Sequence, residues 1–168
     1  MQALLRDANW RKVSDFLNQI GIDLHYKTLP ADSFLPGIEL GPGCLYVDAD
    51  KLRYPGDILH EAGHIAVTSR AQRAQIGSTQ QAVDWPPQGE ELAAILWSYA
   101  AALHLGIDPA WVFHAEGYKG DAAWLLENLQ DGRYIGLPYL VWLGLCDNPG
   151  DNGELSGYPA MKKWLNNN

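Results

Sequence analysis

Two histidines and a glutamate interrupt a segment that otherwise has the composition of an apolar helix. Residues 57–67 read DILHEAGHIAV, which places His60, Glu61 and His64 in the spacing H-E-x-x-H. Side chains four residues apart lie next to each other on one face of a helix. Two imidazoles so placed can bind one tetrahedral Zn²⁺, each at about 2.0–2.1 Å. Burying a carboxylate costs free energy unless its charge is compensated, and a bound dication would compensate Glu61.

Glu61 is rotated by about 100° around the helix from His60, because an α-helix has about 3.6 residues per turn. From that position its carboxylate can reach a water molecule beside the metal, take a proton from it and pass the proton to a leaving amine. We therefore expect Glu61 to be a catalytic base. In the alternative interpretation both histidines are hydrogen-bonded core residues and Glu61 faces solvent, since a pattern with three fixed positions also arises by chance.

A catalytic zinc usually has three protein ligands, and the sequence after His64 lacks the third histidine of the longer pattern H-E-x-x-H-x-x-G-x-x-H. Glu90 and Glu91 open the next long helix, so a carboxylate is the expected third ligand. On a helical wheel Glu91 lies beside the main apolar stripe and Glu90 lies opposite, which favours Glu91. Glu90 stays open as an alternative, because a carboxylate in a first helical turn also interacts favourably with the helix dipole. Asp84 is a weaker candidate.

Hydrophobic periodicity predicts the elements that position these residues. A first helix is predicted from apolar residues at helical spacing between Val13 and Ile20, with Gly21 as its end. Three short strands follow, over IDLHYKTL, residues 37–40 and residues 44–48, with a GPG turn between the last two. The H-E-x-x-H helix is expected to begin near Pro55 or Asp57 and to continue toward Gly77.

The second half of the chain is predicted to be mostly helical. The glutamate helix is expected over about residues 88–105, a further helix should begin at Asp108-Pro109, and another should run from residue 120 to about 130. Pro138 and Pro159 are expected to open two more helices. Gly63 costs about 1 kcal/mol relative to alanine inside a helix, so we expect a close contact there. This order of elements predicts an α+β fold.

Composition excludes several classes of function. The chain has 168 residues and a formal net charge of −8, and its basic residues are scattered, which argues against nucleic-acid binding. Its two cysteines form neither a CxxC pair nor a disulfide framework. The sequence has neither an evident signal peptide nor an apolar run long enough to span a bilayer. We therefore expect a soluble cytoplasmic protein that does not bind membranes.

The motif HEAGH, followed by Glu91 in ExxAxxWSxxAA, resembles the gluzincin arrangement and is similar in particular to the compact ImmA/IrrE-type metallopeptidase domains. The resemblance implies a zincin-like fold with an N-terminal helix, a small three-stranded sheet, the H-E-x-x-H helix and further helices. It implies that His60, His64 and Glu91 are zinc ligands and that Glu61 is the catalytic base. It covers about residues 10–105 and leaves residues 106–168 as a helical C-terminal extension of a single domain, residues 1–168.

The expected function is that of a zinc-dependent peptidase acting on a peptide or protein substrate. The alternatives are a metal-binding regulatory or interaction domain with little or no peptidase activity, and a helical protein without metal. Peptide hydrolysis builds up an oxyanion, and the side chains available to stabilise it are His104, His114, Tyr118 and Tyr134. In zincins the strand before the metal helix lies along the cleft and pairs with an extended peptide; here that strand would be residues 44–48. The oligomeric state stays open.

Overall fold

The computed structural model describes residues 2–30, 35–150 and 157–168. Within these ranges the chain forms an α+β fold of seven α-helices and one three-stranded mixed sheet. The helices are α1 (Gln2–Arg6), α2 (Ala8–Ile20), α3 (Asp57–Val67), α4 (Arg70–Arg73), α5 (Gln88–His104), α6 (Ala122–Gln130) and α7 (Leu137–Trp142). The strands are β1 (Asp23–Tyr26), β2 (Ile38–Gly41) and β3 (Cys44–Val47), and two 3-10 turns are formed by Pro109–Trp111 and Tyr118–Gly120. Across the described residues, no helix combines the length and the apolar character needed to cross a bilayer.

The predicted first helix is confirmed as α2. It begins after Asp7, whose side chain accepts hydrogen bonds from the backbone N–H groups of Asn9 and Trp10. It ends at Gly21, where a φ of 88° reverses the chain without the steric cost of a Cβ. Its apolar face, which includes Trp10 and Phe16, is buried in the core.

The three predicted strands are also confirmed, in the order β1-β3-β2. β3 pairs in parallel with β1 and antiparallel with β2, across the turn at Pro42 and Gly43. The expectation that residues 44–48 pair with a peptide is wrong. Both sides of β3 are hydrogen-bonded to neighbouring strands, so its backbone groups have no free edge, and β2 lies at the edge of the sheet instead.

The helix that carries the H-E-x-x-H pattern is shorter than predicted. α3 ends at Val67, Thr68 is extended with a ψ of 139°, and the separate helix α4 begins after Ser69, whose side chain caps it by accepting from the N–H of Gln72. The Thr68 hydroxyl lies 3.1 Å from a carboxylate oxygen of Glu90. The expectation of one continuous helix toward Gly77 was therefore wrong, because side chains at residues 68 and 69 form interactions that end the helix.

The C-terminal tail satisfies backbone groups at the end of α3. The backbone N–H of Asn166 donates to the carbonyl of Ala66 at 2.8 Å, and its side-chain amide donates to the carbonyl of Val67 at 2.9 Å. These carbonyls have no partner within the helix.

Two helices that were expected in the second half of the chain are not formed as predicted. The stretch that begins at Pro159 is not helical, and it instead makes a bridge between Cys146 and Met161. Asp108-Pro109 begins only a single 3-10 turn.

α3 and α5 pack at very close range, and Gly63 is the residue that allows it. A Cβ on Gly63 would lie 2.8 Å from the carbonyl oxygen of Ala94 and 3.2 Å from its Cβ, so the expected close contact is confirmed. α5 is more deeply placed than a single apolar stripe predicts, since every residue from Ala93 to Ala102 is buried. α5 is therefore a central helix, with α3 and α7 both packed against it.

We predict that Gly63→Ala lowers the free energy of unfolding by about 1–3 kcal/mol, because the added methyl group meets backbone that cannot move aside without separating α3 from α5. Gly89→Ala is the matched control: Gly89 is an exposed glycine of α5 with no atom within 4 Å of an added Cβ, and its substitution should stabilise the protein by about 0.4–1 kcal/mol. Chemical denaturation measures both. Equal stabilisation by the two alanines would contradict the close contact.

Candidate functional site

The site is built where the middle of α3 faces the first turn of α5. His60 and His64 project from α3 with their Nε2 atoms 3.0 Å apart. The carboxylate of Glu91, from the start of α5, reaches both rings: Oε1 lies 3.4 Å from His60 Nε2, and Oε2 lies 3.3 Å from His64 Nε2. The structure thus brings together the three residues that the sequence nominated as ligands.

These distances suit a small cation. In a tetrahedral zinc site with bonds of about 2.0–2.1 Å, neighbouring ligand atoms are about 3.3–3.4 Å apart, close to the separations among the two nitrogens and the Glu91 oxygens. Two neutral imidazoles and a carboxylate are also a donor set that zinc accepts. His60, Glu61 and His64 form a group that could hold a metal ion, because each offers a ligand atom and these atoms lie within 4.8 Å of one another.

Glu61 is buried beside the two histidines. Only 8% of this residue is exposed, and it sits on the part of α3 that packs into the core. Burial raises the pKa of its carboxyl group. The positive charges that His60 and His64 carry when protonated act in the opposite direction, but burial has the larger effect. A carboxylate with a raised pKa is a better proton acceptor at neutral pH than an exposed glutamate.

Attraction between imidazole and carboxylate groups holds the residues of the site together. Hydrogen bonds from His60 and His64 lower the pKa of Glu91 well below its usual range. Burial acts to lower the pKa of His60, but its hydrogen bond to Glu91 and the charges of Glu61 and Asp57 outweigh burial, so the pKa of His60 is raised. The imidazoles therefore partly balance the charge of the carboxylates.

Glu90 points away from the histidines, although it is adjacent to Glu91 in sequence. It is 5% exposed, and its carboxylate oxygens lie 3.1 Å from the Thr68 hydroxyl and 3.5 Å from the Tyr139 hydroxyl. Trp85 donates its indole N–H to the same Thr68 hydroxyl at 3.2 Å. Glu90 thus anchors the segment before α5.

A cleft of about 710 Å³ opens above the histidine pair. Its walls are mainly apolar and aromatic, with carboxyl and imidazole groups on the floor and rim. The lining residues from the β2 side are Leu35, Pro36 and Leu40, and Tyr54, Trp85 and Pro86 add further apolar surface. β2, and not β3, is therefore the strand that borders the cleft. Asp84 is exposed and does not line it.

The segment 113–118 covers the N-terminal half of α3 through two polar contacts. His114 Nε2 lies 2.8 Å from Asp57 Oδ1, and the Tyr118 hydroxyl lies 3.3 Å from His60 Nδ1. His114 also stacks on Tyr54, with ring centroids 4.0 Å apart. Both His114 and Tyr118 line the cleft.

The other two residues that the sequence offered for oxyanion stabilisation lie elsewhere. His104 packs against Phe16 and Trp164, and Tyr134 packs against Tyr158. Sequence reasoning missed Asp57, although its position four residues before Glu61 on the same helix was a usable signal. It also missed the contribution of Trp85, whose ring lies edge-on to His64 at 5.8 Å.

Comparisons of the chain with models of known protein families, with curated proteins and with solved structures found no match. The resemblance to zincin metallopeptidases therefore stays an interpretation of the H-E-x-x-H group and of the residues around it.

We predict that Glu91→Gln weakens zinc binding by more than about a hundredfold, since even indirect partners of a metal contribute about ten- to a hundredfold. Glu90→Gln is the matched control, because it alters an adjacent carboxylate that contacts Thr68 and Tyr139. It should leave zinc affinity unchanged while lowering the melting temperature. Competition with a chromophoric chelator measures affinity. Loss of zinc in the Glu90 variant alone would reverse the assignment of the third ligand.

Proposed function

We propose that this protein is a zinc-dependent peptidase, with His60, His64 and Glu91 as ligands and Glu61 as the catalytic base. The observation that supports this proposal most directly is the convergence of the two Nε2 atoms and the Glu91 carboxylate at 3.0–3.4 Å, beside a buried glutamate and beneath an open cleft. A purely structural histidine pair has no need of a cleft above it.

When bound, zinc would supply Lewis-acid polarisation of a substrate carbonyl and a lowered pKa for water. Glu61 then has two tasks in peptide hydrolysis. Its carboxylate takes one proton from the attacking water as the carbon–oxygen bond forms, and it delivers that proton to the amide nitrogen as the carbon–nitrogen bond breaks. The second proton of the water passes from the new carboxyl group to the amine, so the products are a carboxylate and an ammonium group, and Glu61 returns to its ionised form.

The cleft supports a substrate with apolar side chains. Its walls are formed largely by aliphatic, aromatic and proline residues, and the described residues that line it include four carboxyl groups and no lysine or arginine. The carboxyl groups belong to Asp57, Glu61, Glu91 and Glu116. Acidic side chains of a substrate would therefore be repelled near the scissile bond, whereas apolar side chains would be buried.

The decisive experiment is Glu61→Gln. We expect the turnover number for peptide cleavage to fall by about 10²–10⁴-fold, because glutamine cannot accept the proton, while one zinc per chain is retained. Metal content and cleavage are measured on the same preparation. The control is Glu127→Gln, at an exposed position on α6, which should cleave like the unmodified protein.

The results also separate the competing functions. Zinc binding without cleavage of any peptide in a broad library would favour a metal-binding regulatory or interaction domain. A protein that binds no divalent metal would refute the peptidase proposal.

The charges and apolar walls of the cleft also predict which peptides are cleaved. In a peptide library, cleavage should be enriched for apolar and aromatic residues beside the scissile bond and depleted for aspartate and glutamate, by roughly tenfold or more, which corresponds to about 1.4 kcal/mol of discrimination. The measurement is mass spectrometry of the cleaved products. A preference for acidic residues would contradict the arrangement of charges in the cleft.

A further inference from the structure

The residue outside the proposed ligand set that is best placed to control it is Tyr118. Its hydroxyl lies 3.3 Å from Nδ1 of His60, the ring nitrogen that faces away from His64 and Glu91. The two rings meet edge to face, with centroids 5.5 Å apart. The Tyr118 ring also packs on Phe113, at 5.2 Å. Ring packing and hydroxyl contact together orient Tyr118 toward one nitrogen of one histidine.

The backbone at Tyr118 is in a conformation that tyrosine rarely adopts. Its φ is 54°, in the left-handed region, and it is the only residue other than glycine with a positive φ within the described residues. For a bulky side chain this conformation costs about 1–3 kcal/mol and persists only where the surroundings hold it. The surroundings include two polar contacts that connect segment 113–118 to α3, one between His114 and Asp57 and one between Tyr118 and His60.

The contact between Tyr118 and His60 is suited to one particular arrangement of protons. A tyrosine hydroxyl has lone pairs that can accept a hydrogen bond, and the Tyr118 hydroxyl lies within reach of His60 Nδ1. When the His60 imidazole is neutral, as a metal ligand must be, a proton held on Nδ1 and donated to this hydroxyl leaves Nε2 with a free lone pair. That lone pair points toward His64 Nε2 and the Glu91 carboxylate.

We propose that Tyr118 is the positioning residue of His60, accepting the Nδ1–H and so holding the ring in the tautomer and orientation that present Nε2 to a metal. This inference rests on the proposed zinc site. It also assigns a role to residues 106–168, which lie outside the family resemblance, because Tyr118 belongs to them. A hydrogen-bond partner on the outer nitrogen fixes the tautomer of a ligating histidine and raises its basicity.

His64 offers an internal contrast. Its Nδ1 is buried and has no hydrogen-bond partner among the residues that the structure describes. Its ring is positioned by edge-to-face packing against His60 and Trp85. The two histidines are therefore held differently, and of the two only His60 contacts the Tyr118 hydroxyl.

The test compares two variants that each remove one buried hydroxyl, Tyr118→Phe and Tyr158→Phe. Tyr158 is 2% exposed and its hydroxyl donates to the carbonyl of Leu96 on α5 at 2.7 Å, so it is a matched control for loss of a tyrosine hydroxyl hydrogen bond that does not contact the histidines. Zinc affinity is measured by chelator competition, and the visible spectrum of the cobalt-substituted protein reports ligand geometry. We expect Tyr118→Phe to weaken zinc binding by about ten- to a hundredfold and to alter the cobalt spectrum. Tyr158→Phe should lower the melting temperature and change neither.

Equal zinc affinity in Tyr118→Phe and the unmodified protein would overturn the positioning role and leave the zinc site itself standing. An unmodified protein that binds no zinc would overturn both. Should Tyr118→Phe fail to fold, NMR of the unmodified zinc-loaded protein decides. A His60 Nδ1–H proton with a nuclear Overhauser effect to the Tyr118 ring supports the inference, and a His60 ring protonated on Nε2 refutes it.

Discussion

The close approach of α3 to α5 is the constraint on which the candidate site depends. Imidazole nitrogens of α3 and carboxylate oxygens of α5 can lie 3.3–3.4 Å apart only if the helix backbones are themselves close, and the contact of Gly63 with Ala94 provides that closeness in the turn between His60 and His64. A side chain at residue 63 would hold α5 away and carry Glu91 with it. The cost of a glycine inside a helix is therefore offset by packing that brings three donor groups to one point.

The C-terminal residues take part in this arrangement from both ends of α3. At the C-terminal end, Asn166 donates hydrogen bonds to the last carbonyl groups of the helix. Toward the N-terminal end, His114 and Tyr118 contact Asp57 and His60, one turn apart on the same helix. The last carbonyl groups of a helix need hydrogen-bond partners from outside the helix. Here the chain beyond α5 provides them, and it also provides the polar contacts to Asp57 and His60. The proposed site is thus a property of the whole described fold, although its proposed ligands come from two helices.

Glu90 and Glu91 are adjacent at the start of α5 but have different surroundings. Glu91 contacts the histidines, and Glu90 has a structural role. Glu91 faces two imidazoles, which stabilise its ionised form and hold the pKa of the carboxyl group low. Glu90 is buried against hydroxyl groups of Thr68 and Tyr139 and fixes the loop that carries Trp85. A rotation of about 100° along the helix is sufficient to place one carboxylate in the cleft and the other in the core.

Local patterns in the sequence determined the position of α5, the β2–β3 hairpin and the common face of His60 and His64, because these depend on periodicity and on turn residues within a few positions. They also predicted that Gly63 makes a close contact. Tertiary structure decided where α3 ends, that β3 is central in the sheet, and that Glu91 rather than Glu90 faces the histidines. It alone brought Tyr118 to His60. These outcomes depend on contacts between residues far apart in the chain. The apolar stripe of α5 favoured Glu91 but left Glu90 open, because residues 93–102 of this helix are buried all round and its orientation is set by its tertiary neighbours.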